Sequence, residues 1–276
     1  MSDVWIVDFG SQYTQLITRK ARELGYSSLI VTVDEAFGRL KRQEKPLAFI
    51  LSGGPHSVFD DETDYGLIFE SGRPLLGICY GMQLVGQYYK GKVEKGEVGE
   101  YGHSTVHSEG GFSFPGMPAS FTVWMSHADH LTSLPQGFSA ILKSNNGLIA
   151  GIESQEKKIM ALQFHPEVNH TEFGKETLKH FFHEVARVKT NWSNQVMLEN
   201  CLEEVREVKG SKVLCAFSGG VDSLVAATIA HKELGEDLYC FFVDNGLLRP
   251  QDYRHIELLK KETGLNIEII DAKEDF

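Results

Sequence analysis

The sequence predicts an α/β protein: a domain with a central, mostly parallel sheet and an antiparallel insertion, then an incomplete doubly wound α/β domain. Three observations carry this. Short, almost continuously apolar runs alternate with segments of helical spacing, as strands covered on both faces require. Two of those runs, Leu75–Ile78 and Val213–Phe217, pass directly into glycine-bearing turns that open helices. Between Lys92 and Glu153 the pattern changes to short strands with Gly-rich turns, the mark of an antiparallel insertion.

In order, the spacing predicts a strand over Val4–Asp8, a helix over Gln12–Leu24, and strands over Leu29–Val33, Ala48–Leu51 and Pro74–Ile78. A helix over Met82–Tyr89 comes next, and after the insertion a helix over Glu172–Val188 closes the first domain. Polar residues Lys189–Asn191 mark the boundary, dividing the chain into 1–189 and 190–276. The second part predicts helices Asn194–Lys209 and Leu224–Leu234 and strands Val213–Phe217, Leu238–Val243 and Ile267–Ile270. It ends at Asp275-Phe276 in a charged segment without a closing helix, so it reads as a truncated domain.

Composition narrows the function. The 276 residues are 42% hydrophobic and 24% charged, ordinary for a soluble globular chain. A net charge of −11 argues against nucleic-acid or anionic-membrane partners. The start is too short and acidic for a signal peptide, and no apolar run approaches a membrane span. Four cysteines without paired spacing fit a reducing, cytoplasmic setting, and no metal site is expected.

The chemistry concentrates in three segments. In Leu75–Gln83, Cys79 stands where a strand meets a helix, with Gly77 and Gly81 two residues to either side. That is the cysteine form of a nucleophile elbow, and the helix N-terminus favours a thiolate there. A buried small hydrophobe is the competing reading for a lone cysteine. The apolar run Ile159–Phe164 leads into His165-Pro166-Glu167. On extended backbone the side chains of His165 and Glu167 share one side, so a carboxylate can orient the imidazole toward a thiol. Phe49–Pro55 ends in Gly53-Gly54, and the N–H groups of Gly54 and Tyr80 are candidate oxyanion donors.

Together these motifs resemble the triad-type (class I) glutamine amidotransferases over about the first two-thirds of the chain. The resemblance implies Cys79 as nucleophile, His165 as base, Glu167 as orienting carboxylate and Gly54 and Tyr80 as oxyanion donors, with no cofactor for this half. Farther on, Ser218-Gly219-Gly220-Val221-Asp222-Ser223 opens a helix without the Gly-Lys-Ser/Thr ending of a Walker loop. It resembles the pyrophosphate loop of the ATP pyrophosphatases, which implies ATP with Mg²⁺ at Ser218, Gly219, Gly220, Val221, Asp222 and Ser223. A glycine turn with Asp222 and Ser223 as helix caps is the alternative.

The order of the two halves, with Asp8–Leu16, Glu100-Tyr101-Gly102, Trp124–His127 and Val243–Arg249, is similar to the GMP synthetase family. Ala128 departs from the glycine that this family carries there. The resemblance implies a ligase of purine biosynthesis that makes GMP from XMP, ATP and glutamine, with a homodimeric parent and a synthetase half that is inactive in a partial chain. The alternatives are an amidotransferase fused to another adenylating domain, or a non-catalytic fragment.

Overall fold

The computed structural model describes residues 3–96, 99–112, 114 and 116–274; the charged end at Asp275-Phe276 lies outside the described residues. The chain divides into two compact units, Met1–Trp192 and Ser193–Phe276.

The first unit begins with β1 (Val4–Val7), α1 (Thr14–Glu23), β2 (Ser28–Val31), α2 (Val33–Lys41) and β3 (Phe49–Leu51). The short helix α3 (Gly66–Phe69) precedes β4 (Leu75–Ile78) and α4 (Tyr80–Tyr88). The insertion supplies β5 (Lys92–Glu94), β6 (Glu100–Ser108), β7 (Ser120–His127), β8 (His130–Ser133), β9 (Ser139–Ser144) and β10 (Ile149–Ser154). β11 (Ile159–Leu162) and α5 (Gly174–His180) complete the unit, with a π-turn at Phe181–Val185 continuing α5.

One nine-stranded sheet runs β2-β1-β3-β4-β11-β10-β9-β6-β7, while β5 and β8 form a separate ribbon. The strands from β2 to β11 are parallel, and those from β11 to β7 pair antiparallel. The insertion thus extends the central sheet instead of forming a layer of its own. Along the central strands alternate residues enter two cores. Val4, Ile6, Ile50, Leu76, Ile78, Met160 and Leu162 pack with Phe181 and Phe182 on one face. Trp5, Val7, Phe49, Leu51, Leu75, Ile159 and Ala161 pack with Ile68 and Leu84 on the other. Burial on both faces is why these strands read as continuous apolar runs.

The second unit holds α6 (Asn194–Arg206), β12 (Val213–Ala216), α7 (Val221–Leu234), β13 (Leu238–Asp244), α8 (Pro250–Thr263) and β14 (Ile267–Asp271). Its parallel sheet has the order β12-β13-β14. One face carries Cys240, Phe242 and Ile267 into a core with Ala227 and Leu234 of α7 and Ile256 and Leu259 of α8. The opposite face leaves Leu214 and Val243 exposed.

Three helices, the single-turn α3 and the longer α2 and α8, lie where the sequence predicted none. Thr32 caps α2 by accepting from the Glu35 N–H, while the Glu35 carboxylate accepts from the Thr32 N–H. Val33, read above as the end of a strand, is therefore the first residue of a helix. α8 starts at Pro250 and ends before Gly264 in the left-handed region.

Candidate active site

β4 is buried at all four residues, and its last peptide runs straight into α4. The joint is Cys79, with φ 52° and ψ −104°, a strained conformation for any residue with a side chain. The Cys79 N–H donates to Leu162 O of β11 at 2.7 Å, and its carbonyl accepts from Met82 and Gln83 at 3.0 and 3.2 Å. The flanking glycines make the turn possible. A Cβ on Gly77 would stand 2.6 Å from Gly81 O, and one on Gly81 would stand 2.5 Å from Leu51 O. The spacing Gly-X-Cys-X-Gly is thus a steric requirement of this crossing.

His165 and Glu167 do meet, though not on extended backbone as the sequence reading expected. β11 stops at Leu162, and His165–Glu167 lies in the turn that follows. The turn is pinned by the His165 N–H to Trp124 O at 3.1 Å and by the Thr171 hydroxyl to His165 O at 2.6 Å. It brings His165 Nδ1 to 2.8 Å from Glu167 Oε1, with both residues buried. The ring of Tyr13 packs edge-on against the imidazole at 5.0 Å.

The imidazole borders the same cleft as Cys79, and both stand beside Gly53, where a Cβ would lie 3.0 Å from His165 Cε1 and 3.6 Å from Cys79 Cβ. Burial is the largest single influence on this ring and opposes its charge. The Glu167 carboxylate and the contacts with Glu167 and Cys79 together outweigh it, and the His165 pKa is pushed up to about 10. The carboxylate thus favours the charged form of a ring that borders the same cleft as the sulfur. A cation beside a sulfur is the setting in which cysteine nucleophiles work.

Around the sulfur are groups that sequence reasoning did not assign. The thiol donates to Ser126 O at 3.5 Å, and the buried Gln163 amide donates to the sulfur at 3.9 Å. A cleft of about 300 Å³ lined by Gly10–Tyr13 and His165 opens on one side. A cleft of about 350 Å³ lined by Ser57, Gln83, Tyr101, His127 and Asp129 opens on the other. Gly54, Pro55, Cys79 and Ser126 border both. Tyr80 lines the second cleft and is the first residue of α4, so its N–H has no acceptor within the helix. Gln163 and Ser126 lie within or beside the motifs that carry the chemistry, so proximity in sequence was the available signal.

His103 and His107 have the four-residue spacing that holds zinc on a helix, but they lie on strand β6, where that spacing spans about 13 Å. Among the described residues no group of three His, Cys, Asp or Glu side chains could hold a metal ion.

In the second unit Ser218–Ser223 joins β12 to α7. The Ser218 and Ser223 hydroxyls lie 3.0 Å apart, and Ser223 also donates to Gly220 O. Gly220 is the N-cap and no side chain caps the helix, which removes the reading of Asp222 and Ser223 as caps. At the end of β13 the buried Asp244 carboxylate accepts from the Gly246 N–H, the Tyr253 hydroxyl and Lys273 Nζ.

The profile of the family "Glutamine amidotransferase class-I" matches residues 5–185. The chain belongs to the class-I glutamine amidotransferase family. As in the first unit here, a putative GMP synthase subunit from Thermoplasma acidophilum has this fold, at 30% identity and a TM-score of 0.58 over 66% of this chain and 92% of that one. A "Phosphoadenosine phosphosulfate reductase domain" profile matches residues 212–276. Glutamine-hydrolysing GMP synthases are similar along this amidotransferase chain and past its first unit. That of Aquifex aeolicus is 43% identical over 99% of the chain, and that of Oceanobacillus iheyensis 44% over 99%. The chain spans about half the length of these curated relatives, 54% in each case. No helix among the described residues is long and apolar enough to cross a membrane.

Proposed function

We propose that this chain carries the glutamine-hydrolysing, ammonia-supplying part of a GMP synthase, with residues 1–189 as the glutaminase and 190–276 as the start of an ATP pyrophosphatase domain. The observation that supports it most is Cys79, held in a strained turn at a helix N-terminus against the His165–Glu167 pair. In this reading the Cys79 thiolate attacks the side-chain amide carbon of glutamine. The developing oxyanion is received by the N–H groups of Gly54 and Tyr80. His165, already protonated, passes its proton to the departing amide nitrogen, and ammonia leaves a thioester on Cys79. His165 then takes a proton from the water that hydrolyses the thioester to glutamate, while Glu167 keeps the ring aligned throughout.

The ammonia would serve an adenylated XMP in the parent enzyme, a cytoplasmic homodimer in this reading. The backbone N–H groups of Ser218–Ser223 would receive ATP phosphates at the start of α7. A Mg²⁺ would enter with those phosphates, since this ion needs few protein ligands, and Asp222 is the carboxylate in the loop.

The test is labelling by an electrophilic glutamine analogue followed by peptide mapping. Cys79 should carry the label, Cys201, Cys215 and Cys240 should not, and Cys79→Ala should abolish both labelling and glutamine hydrolysis. Labelling spread evenly over the four cysteines would refute the assignment.

A further inference from the structure

The Tyr80 side chain ends in a small polar knot. Its hydroxyl donates to Asp61 Oδ2 at 2.5 Å, and the hydroxyl of Tyr65 donates to the same oxygen at 2.6 Å. Both tyrosines are buried, so each hydroxyl needs a partner, and one carboxylate serves both. The other Asp61 oxygen accepts from the Thr63 N–H at 2.9 Å. Burial works against the Asp61 charge, but the Tyr65, Tyr80 and Thr63 hydrogen bonds outweigh it and hold the carboxyl down to about 2. The knot is anionic at any physiological pH.

Phe9 connects this knot to the other oxyanion candidate. Its ring packs on Tyr80 at 5.2 Å and edge-on to Tyr65 at 5.7 Å. Its backbone abuts Gly54, where a Cβ would stand 2.8 Å from Phe9 O. The two residues whose N–H groups face the sulfur in the proposed function are therefore held by one packed cluster. The Cys79 backbone is strained at ψ −104°, and the peptide that could rotate to relieve it is the Cys79–Tyr80 peptide, which carries the Tyr80 N–H. Anchoring the far end of the Tyr80 side chain opposes that rotation.

We propose that Asp61 is a positioning residue for the oxyanion site, fixing the Tyr80 peptide by holding the Tyr80 hydroxyl. The inference rests on the glutaminase reading above. It asks nothing of Asp61 chemically, only that its carboxylate stay in place.

The experiment compares two reagents on Cys79 in the whole chain. A diazoketone analogue of glutamine must place its carbonyl between the Gly54 and Tyr80 N–H groups while its diazo carbon takes a proton from His165, after which the sulfur displaces dinitrogen. Iodoacetamide needs only the sulfur, which displaces iodide. In Tyr80→Phe and Asp61→Ala, diazoketone labelling should fall about tenfold relative to iodoacetamide labelling. Tyr65→Phe, which leaves the Asp61–Tyr80 bond intact, should keep the wild-type ratio. Tryptophan fluorescence shows that each variant is folded. An unchanged ratio in folded Tyr80→Phe, or an equal fall with both reagents, would overturn the proposal. A wild-type Cys79 that reacts with iodoacetamide and not with the diazoketone would instead overturn the glutaminase reading, and the positioning role with it.

Discussion

Both units place a candidate functional loop at the end of a parallel strand, but they bury those strands very differently. In the first, β1, β3, β4 and β11 are buried at every residue. In the second, β12 alternates between half-buried and exposed, and Leu214 is 70% exposed. The contrast shows what a two-sided sheet contributes to a site. Beneath Cys79, packing from both faces leaves the chain one way to turn, and that fixes a strained residue. Beneath Ser218, packing from one face leaves a loop held chiefly by its own serine hydroxyls.

The comparison breaks most readily at the elbow. Gly81→Ala would place a Cβ 2.5 Å from Leu51 O, a backbone atom that cannot yield. It should destabilise the first unit by more than about 3 kcal/mol. The three tryptophans, Trp5, Trp124 and Trp192, all lie in that unit, so their fluorescence in a denaturant titration reports it alone. A loss below about 1 kcal/mol would mean that the crossing relaxes easily.

A pair of equivalent truncations sharpens it further. Leu76→Ala, in the two-sided sheet at 0% exposure, should cost about 2–5 kcal/mol by the same titration. Leu214→Ala, on the bare face, should change hydrogen exchange of the neighbouring β13 amides by less than about 0.5 kcal/mol. Similar losses at the two leucines would show that something covers the second sheet.

The remaining effect is electrostatic and shows in its pH dependence. The His165 pKa stands at about 10 in the folded chain against its ordinary 6.5. The folded state holds that proton more tightly, so the contribution to stability is fully present below pH 6.5 and is lost as pH rises toward 10. The stability difference between the wild type and His165→Gln should shrink across that window. A flat difference would mean that Glu167 and Cys79 do not favour the charged ring.

Much of the site was legible because its requirements are local. The glycines around Cys79 are dictated by a single backbone crossing, and the two-residue spacing of His165 and Glu167 let their side chains meet even though the backbone makes a turn instead of a strand. Distant partners left no such trace. Asp61 lies in the acidic stretch Asp60-Asp61-Glu62 and looks like solvated surface until the fold sets it against Tyr80. Helix α2 did have a signal, Thr32-X-X-Glu35, but the apolar run into Val33 masked it. For α8 the signal was Pro250 at the start with Gly264 after the end. The π-turn at Phe181–Val185, closed by the Ala186 N–H to Phe181 O at 2.7 Å, has no pattern of its own and read as plain helix.

The left-handed turn at Cys79 sets two demands at one position that no residue meets together. Glycine would relax the backbone, which costs of order 1–3 kcal/mol with any side chain present, and would remove the sulfur. Drift at this position therefore leads downhill toward a sturdier fold that lacks the sulfur the proposed reaction uses. A related chain carrying glycine here would then be the relaxed form of this architecture, without the sulfur on which the proposed hydrolysis rests, and not a damaged copy of it.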